Sequence, residues 1–267
     1  MDTEKGSGVM AAPDGGGGSW IRRLGPESPR APRLVAFPHA GGSANVYLPL
    51  ARALAPEMDV HGVQYPGRQD RMAEPLVDNV AELAKQVFHR LVGWTDRPLV
   101  LFGHSMGAVV AFEVARRLEQ FGSVPLAGLV VSGRRAPGIL RDDDDVHLRD
   151  DKGLVAEIRS LDGTDQAFLD DEELLEMILP VVRNDYKAVE TYRYQPGPKL
   201  RCPLTALLGD ADPKAGIDEA MGWRDHAEGL FHFRSFPGGH FYLNDRMDDI
   251  GKEATTLVLA GRPGEQR

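Results

Sequence analysis

Short apolar runs alternate with amphipathic stretches along most of the chain, and this alternation predicts an α/β fold. Apolar residues recur at helical spacing between the runs, whereas the runs themselves are brief and β-prone. The predicted strands lie at residues 34–37, 60–64, 99–102, 126–132, 204–208 and 231–236. The predicted helices lie at 46–55, 80–92, 108–121, 148–159, 169–192, 215–227 and 247–259. Strands that alternate with helices indicate a mostly parallel sheet with helices on both faces.

The alternation stops for about seventy residues between the predicted strands 126–132 and 204–208. A structureless loop of that length is improbable in a compact domain, so the helical patterns inside it predict a helical insertion. Ligands of open α/β sheets bind at the carboxyl edge of the strands, and an insertion there would form a lid. The alternative is an additional helical layer that gates nothing. The run Asp142–Asp145 inside the insertion is interpreted as a solvated loop, because contiguous carboxylates are poorly spaced to converge on a metal.

The first residues differ in composition from everything that follows. Residues 1–18 are rich in Gly, Asp and Ala and end in four consecutive glycines, which predicts a disordered extension. Order is expected from about Trp20. We therefore predict one α/β domain at residues 19–267, with its core at 19–133 and 200–262 and the helical lid at about 134–199.

Composition and charge narrow the class of protein. The 267 residues are 42% hydrophobic, which suffices for a sizeable core, and no apolar run approaches the length of a membrane span. The net charge of −9 argues against general nucleic-acid binding. The amino terminus lacks the pattern of a secretory signal, so we expect a cytoplasmic protein. For the oligomeric state we expect a monomer. Cys202, the single cysteine, excludes internal disulfides and is interpreted as a packing thiol.

A candidate nucleophile lies between the predicted strand 99–102 and the predicted helix 108–121. Residues 103–107 read Gly-His-Ser-Met-Gly, a Gly-x-Ser-x-Gly element in a strand–turn–helix context. A sharp turn there would strain the backbone of Ser105 and expose its Oγ, while the glycines let the strand and helix approach closely. Ser105 is therefore the predicted nucleophile, and His104 beside it is expected to form a wall of the site.

A serine hydroxyl needs a base, and the histidine of an α/β-hydrolase follows the serine and the acid in chain order. His240 fits, because it follows the last predicted strand and the flexible Gly238-Gly239. The acid should leave the preceding strand, where Gly209-Asp210-Ala211-Asp212-Pro213 offers two candidates. We favour Asp212 as the residue that orients the imidazole and keep Asp210, directly after the turn, as the alternative.

Two backbone N–H groups are expected to bind the oxyanion. One belongs to Met106, the residue after the nucleophile. The second should come from the loop after the first predicted strand, Pro38-His39-Ala40-Gly41-Gly42-Ser43, and we assign it to Ala40.

With these motifs the chain resembles the type II thioesterases of polyketide and nonribosomal peptide assembly lines. The resemblance covers nearly everything from Trp20 onward and is carried by the following segments: Phe37-Pro38-His39-Ala40-Gly41-Gly42 with Tyr47, Gln64-Tyr65-Pro66-Gly67-Arg68 with Arg71, residues 103–108, Gly209-Asp210-Ala211-Asp212-Pro213 with Trp223, and Gly238-Gly239-His240-Phe241. The Pro-His-Ala-Gly-Gly and Pro-Gly-Arg segments together are typical of a much narrower group of proteins than Gly-x-Ser-x-Gly alone, which occurs in many hydrolases.

The resemblance supports Ser105, Asp212 and His240 as the catalytic triad, and Ala40 and Met106 as the oxyanion donors. It implies a mobile lid and substrates on the phosphopantetheine arm of an acyl or peptidyl carrier protein, from which aberrant or stalled acyl groups are removed. No metal or other cofactor is expected. A small-molecule carboxylesterase or lipase with the same triad is the alternative enzyme, and a non-catalytic hydrolase-fold binding protein is the alternative from another class.

For two groups of side chains the sequence leaves two interpretations open. Arg68 and Arg71 form either structural salt bridges or contacts with the carrier protein and its arm. Tyr186, Tyr192 and Tyr194 either pack the lid against the core or line an acyl channel.

Overall fold

The computed structural model describes residues 19–142, 145–163 and 170–260. The predicted disorder of residues 1–18 lies outside these ranges, as do Asp143 and Asp144 of the Asp run. None of the helices in the described parts of the chain combines the length and the apolar character that a membrane span needs.

The described residues form one seven-stranded sheet, and the predicted α/β fold is confirmed. In chain order the strands are β1 (Ile21–Arg23), β2 (Arg33–Phe37), β3 (Asp59–Val63), β4 (Leu99–His104), β5 (Leu126–Ser132), β6 (Leu204–Gly209) and β7 (Phe231–Phe236). Their spatial order is β1-β3-β2-β4-β5-β6-β7. All neighbouring pairs are parallel except β1 with β3.

Strand β1 was not predicted from the sequence. It contains one apolar residue followed by two arginines, so it carries no strand-like apolar run. Its pairing with the buried strand β3, in which Ile21 lies opposite Val63, defines it instead. This is an edge strand whose existence depends on a tertiary partner.

Helices cover both faces of the sheet. The α-helices of the described residues are α1 (Leu48–Leu54), α2 (Val80–Leu91), α3 (Met106–Phe121), α4 (Asp151–Ser160), α5 (Glu172–Glu190), α6 (Ile217–Met221) and α7 (Met247–Ala260). Side chains of α2 and α3, such as Leu83 and Phe112, pack on one face, and those of α1 and α7, such as Leu50 and Ile250, pack on the other. The two apolar layers place β2, β4 and β5 in the centre of the molecule.

Two predicted helices are each divided into an α-helix and a 3-10 turn. The predicted helix 46–55 is a 3-10 turn at Ala44–Tyr47 followed by α1, with Pro49 in the first turn of the α-helix, where its missing N–H is tolerated. The predicted helix 215–227 is α6 followed by a 3-10 turn at Gly222–His226.

The segment between β5 and β6, here termed the insertion (residues 133–203), contains α4 and α5, as predicted. Its own apolar cluster consists of Val146, Leu154, Leu179 and Val182. Near its end, α5 joins the core of the domain through Ala188 and Val189. The insertion therefore has a small core of its own and a firm attachment to the sheet-bearing part of the molecule.

Candidate active site

Ser105 lies in a strained turn between β4 and α3. Its φ is 56° and its ψ is −118°, a conformation that non-glycine residues rarely adopt. A Cβ on Gly103 would overlap the carbonyl oxygen of Gly107, and a Cβ on Gly107 would overlap that of Phe37. Glycine is thus required on both sides of the serine by the close approach of the backbone.

His240 follows β7 and reaches the serine across the carboxyl edge of the sheet. Its Nε2 lies 3.0 Å from the Oγ of Ser105, and its side chain is 2% exposed. Because β4 and β7 are parallel, the residues that follow them emerge at the same edge. The structure thus brings together two residues that are 135 positions apart in the chain.

Asp212 lies on the far side of the imidazole. Both of its carboxylate oxygens are 2.9 Å from the Nδ1 of His240, and its side chain is fully buried. A carboxylate accepts only, so the proton is assigned to Nδ1 and Nε2 is left to accept from Ser105. Asp210, the alternative acid, instead accepts the N–H of Gly238 at 3.0 Å and so supports the loop that leads to His240.

Two further histidines lie beside His240 and are kept neutral. Burial, then the charges of His240 and Arg68, lower the pKa of His39 to about 3. Burial, then His240 and His39, hold the pKa of His104 well below its ordinary value. The Nδ1 of His104 is 2.9 Å from the Oγ of Ser132, which fixes its ring 4.9 Å from that of His240. The sequence predicted that His104 forms a wall of the site, but it indicated no separate role for His39.

The predicted oxyanion donors, Ala40 and Met106, lie on two segments that contact each other. Met106 is the first residue of α3, so its N–H has no acceptor within the helix. Ala40 occupies a turn closed by a 2.9 Å hydrogen bond from the N–H of Gly42 to the carbonyl of His39. Within the described residues no hydrogen bond engages the N–H of Ala40. The carbonyl oxygens of Phe37 and Pro38 lie directly against the first turn of α3, which brings the two loops into contact.

A family model described as a thioesterase domain matches residues 32–255. The chain belongs to the thioesterase family. It is a hydrolase that acts on thioesters, and the resemblance drawn from its motifs is confirmed.

Relatives and solved structures agree with this assignment. The chain is 50% identical over 246 residues to thioesterase PikA5 of Streptomyces venezuelae, covering 92% of this chain and 87% of that protein. It is similar to the type II thioesterase BorB from the borrelidin biosynthetic cluster, at 50% identity and a TM-score of 0.84, with 92% of this chain and all of that one covered. The similarity to YbtT, a type II thioesterase of the yersiniabactin pathway, is 29% identity at a TM-score of 0.82, covering 91% and 99% of the two chains.

In this thioesterase the two arginines of the Pro-Gly-Arg region are engaged within the protein. Arg68 forms a bidentate ion pair with Asp185 of α5, at 2.7 and 3.0 Å. Arg71 donates to the carbonyl of Gln64 at 2.6 Å and pairs with Glu74. These contacts support the structural interpretation of both arginines.

Asp185 was missed by sequence reasoning. It lies on the apolar stripe of α5, three residues after Val182 and four before Val189, and its side chain is buried. A carboxylate on the buried stripe of an amphipathic helix needs a partner, and that pattern is the signal that could have singled it out.

The three tyrosines and the cysteine have packing contacts. The hydroxyl of Tyr192 donates to Glu113 at 2.8 Å, the ring of Tyr194 packs against Phe112, and Tyr186 packs on the apolar cluster of the insertion. Cys202 is buried, and burial raises the pKa of its thiol well above the ordinary value. Among the residues described, no group of three or more His, Cys, Asp or Glu side chains is arranged to hold a metal ion.

Proposed function

We propose that this thioesterase removes aberrant or stalled acyl groups from the phosphopantetheine arm of an acyl or peptidyl carrier protein of a polyketide or nonribosomal peptide synthase. The observation that carries the proposal is the hydrogen-bonded series Ser105–His240–Asp212, in a chain that resembles type II thioesterases over nine-tenths of its length. The proposed enzyme works as a monomer without metal or cofactor.

Acylation begins at the Oγ of Ser105. His240, whose Nε2 is 3.0 Å away, takes the hydroxyl proton while the oxygen attacks the thioester carbonyl. Asp212 holds the imidazole in the required tautomer and stabilises the imidazolium that forms, without taking the proton itself. When the tetrahedral intermediate collapses, the C–S bond breaks and the thiol leaves with the proton from His240.

The oxyanion of each tetrahedral intermediate is bound by the N–H groups of Ala40 and Met106. Both are free of acceptors among the described residues, so they need no rearrangement to bind the developing charge. A single donor of this kind contributes about 3–4 kcal/mol of transition-state stabilisation.

Deacylation repeats the same proton transfers with water in place of the thiol. His240 takes a proton from the water as it attacks the acyl-serine carbonyl, then returns it to the Oγ of Ser105 as the ester bond breaks. The free acid and the starting enzyme result.

The insertion is proposed to act as a lid. Its helix α5 contacts the loop of Ala40 directly, because a Cβ on Gly41 would lie 2.7 Å from a methyl carbon of Val182. A cover over the carboxyl edge of the sheet would enclose the acyl chain on the serine while it still admits the water that deacylation needs.

Hydrolysis of a panel of acyl groups on carrier proteins, beside simple oxygen esters, tests the proposal. We expect a higher kcat/KM for the carrier-bound thioesters and a loss of at least ~10³-fold for Ser105→Ala. Ser123→Ala, an exposed serine at the other edge of the sheet, is the matched control and should leave turnover unchanged. Preference for oxygen esters would favour a carboxylesterase, and unchanged turnover by Ser105→Ala would overturn the catalytic assignment.

A further inference from the structure

We propose that Asp185, on helix α5 of the insertion, is a positioning residue that fixes the orientation of the oxyanion donor at Ala40. The proposal rests on the function proposed above, because it assumes that the N–H of Ala40 binds the oxyanion. It assigns to α5 a part in assembling the active site, in addition to covering it.

The carboxylate of Asp185 is shared by two donors from different parts of the chain. Its Oδ2 accepts the Nη1 of Arg68 at 2.7 Å and the backbone N–H of Gly41 at 2.8 Å, while its Oδ1 accepts the Nη2 of Arg68 at 3.0 Å. The Nη1 of Arg68 also donates to the carbonyl of Gly42 at 3.2 Å. The ion pair therefore holds the Gly41-Gly42 segment by an N–H at one end and by a carbonyl at the other.

The hydrogen bond to Gly41 determines which turn the loop adopts. His39 and Gly42 close a four-residue turn, and Gly41 at its third position has a φ of +77°, as a type II turn requires. Types I and II differ by a flip of the central peptide, which here is Ala40–Gly41. In the type I form the N–H of Gly41 would point away from Asp185, so the carboxylate favours the form that is present.

The orientation of the Ala40 N–H follows from this turn. That N–H belongs to the peptide between His39 and Ala40, whose carbonyl accepts the 2.9 Å hydrogen bond from Gly42. In a trans peptide the N–H points opposite to the carbonyl, so the Ala40 N–H is directed out of the turn. Types I and II share this closing bond, so a flip of the central peptide alone would leave the donor in place. Loss of both holds, on the N–H of Gly41 and on the carbonyl of Gly42, would free the segment, release the closing bond and with it the direction of the donor.

Burial strengthens the ion pair between Asp185 and Arg68. The side chains of Asp185 and Arg68 are 1% and 7% exposed, so both charges have lost their water and depend on each other. Charge-assisted and bidentate hydrogen bonds are shorter and more directional than neutral ones. Removal of one partner alone would leave a buried unpaired charge, so the decisive variant must remove both.

The chain offers a matched control. A second ion pair, between Lys187 of α5 and Asp78, also ties α5 to the rest of the domain, but both side chains are about half exposed and neither touches the loop of Ala40. A variant lacking this pair tests whether any loss arises from general attachment of α5.

Three variants separate the possibilities. Arg68→Met combined with Asp185→Leu removes both charges and the acceptor for Gly41 and replaces them with apolar side chains. Asp185→Asn keeps an amide oxygen that can accept from Gly41. Asp78→Asn breaks the exposed pair. Each is first checked by urea unfolding, so that kinetics are compared only between folded proteins.

We expect the double variant to lose about 10²-fold in kcat with little change in KM, because one oxyanion donor is worth 10²–10³ in kcat. Asp185→Asn should lose no more than about tenfold, and Asp78→Asn should behave as the wild type. The affinity for an acyl trifluoromethyl ketone, which forms a tetrahedral adduct on the serine, should fall in parallel with kcat/KM. A folded double variant with kcat within twofold of the wild type overturns the proposal, as does an equal loss in Asp78→Asn.

A second measurement keeps this test apart from the proposed substrate. The rate at which a fluorophosphonate modifies Ser105 depends on the same oxyanion donors and not on a thioester. If the wild type fails to hydrolyse carrier-bound thioesters yet the double variant is phosphonylated about 10²-fold more slowly, the substrate assignment fails and the role of Asp185 stands. Equal phosphonylation rates, with thioester hydrolysis intact in the wild type, reject the role of Asp185 alone.

Discussion

The backbone of Ser105 is held in a strained conformation by its neighbours. Its N–H donates to the carbonyl of Ser132 at 2.8 Å, and its own carbonyl accepts from Ala108 at 3.1 Å. A φ of 56° on a non-glycine residue costs on the order of 1–3 kcal/mol, which these bonds and the packing around Gly103 and Gly107 offset. In this conformation the Oγ of Ser105 lies 3.0 Å from the Nε2 of His240, as the proposed general-base step requires.

The two aspartates after β6 have different contacts, and their amide variants should differ accordingly. Asp212→Asn replaces an acceptor by a group that can donate to Nδ1 of His240, which favours the wrong tautomer. We expect a loss of about 10⁴ in kcat with the fold unchanged, measured on a carrier-bound thioester.

Asp210→Asn is the matched control, because its amide oxygen can still accept the N–H of Gly238. It should stay within about fivefold of the wild type, since it leaves the imidazole tautomer untouched. Equal losses in the two variants would contradict the assignment of Asp212 as the acid.

The insertion shows how an element can be attached to a domain and still have a core of its own. Leu154, Leu179 and Val182 form a cluster separate from the two layers that flank the sheet. The last turns of α5 join the main core, and the Arg68–Asp185 ion pair fixes the helix to the Gly41-Gly42 segment. Local loosening of α4 should therefore be separable from global unfolding.

Leu154→Ala should loosen the insertion without unfolding the sheet. Large-to-small changes of buried leucine cost about 2–5 kcal/mol, and here the loss falls on a small cluster. We expect faster amide hydrogen exchange in α4 and α5, with the protection of β4 and β5 retained.

Leu101→Ala in the centre of the sheet is the comparison, and it should lower the urea midpoint of the whole protein. An equal fall of that midpoint for Leu154→Ala would show that the insertion and the sheet unfold as one unit.

The stability of the molecule should depend on pH through histidines that are buried (His61, His104 and His226) or half-buried (His39). Burial is the largest cause that lowers the pKa of His39, His61, His104 and His226. In the unfolded chain these residues take up protons below about pH 6.5, whereas in the folded state they resist protonation. The unfolded state then binds more protons, so stability falls as the pH falls below about 6.5.

We expect the free energy of unfolding to be level between pH 7.5 and 8.5 and to fall from pH 7 to 5.5. His39, with its pKa lowered to about 3, contributes about 1 kcal/mol of that fall. His39→Gln should reduce the fall by that amount, as measured by urea unfolding at the two pH values. Stability that rises on acidification over this range would contradict the burial of neutral histidines.

Much of the molecule could be predicted from local patterns, because apolar periodicity and glycine placement act over a few residues. Such local patterns predicted all six of the strands named from the sequence, the helices of the insertion and the Gly-x-Ser-x-Gly turn. The edge strand β1 does not, since two of its three residues are arginines and only pairing with β3 defines it. Chain order and motif context also led to Ser105, His240 and Asp212 as a set.

The sequence by itself determined the fold class and the types of residue that the chemistry needs. The sequence favoured Asp212 and left Asp210 open, and only the tertiary structure shows that Asp212 meets His240 while Asp210 meets Gly238, because loop geometry separates the partners of two residues this close in the chain. It also decided that Arg68 lies buried against Asp185, 117 positions away, and that this carboxylate holds Gly41. Contacts between distant segments depend on how the layers pack, and no local pattern records them.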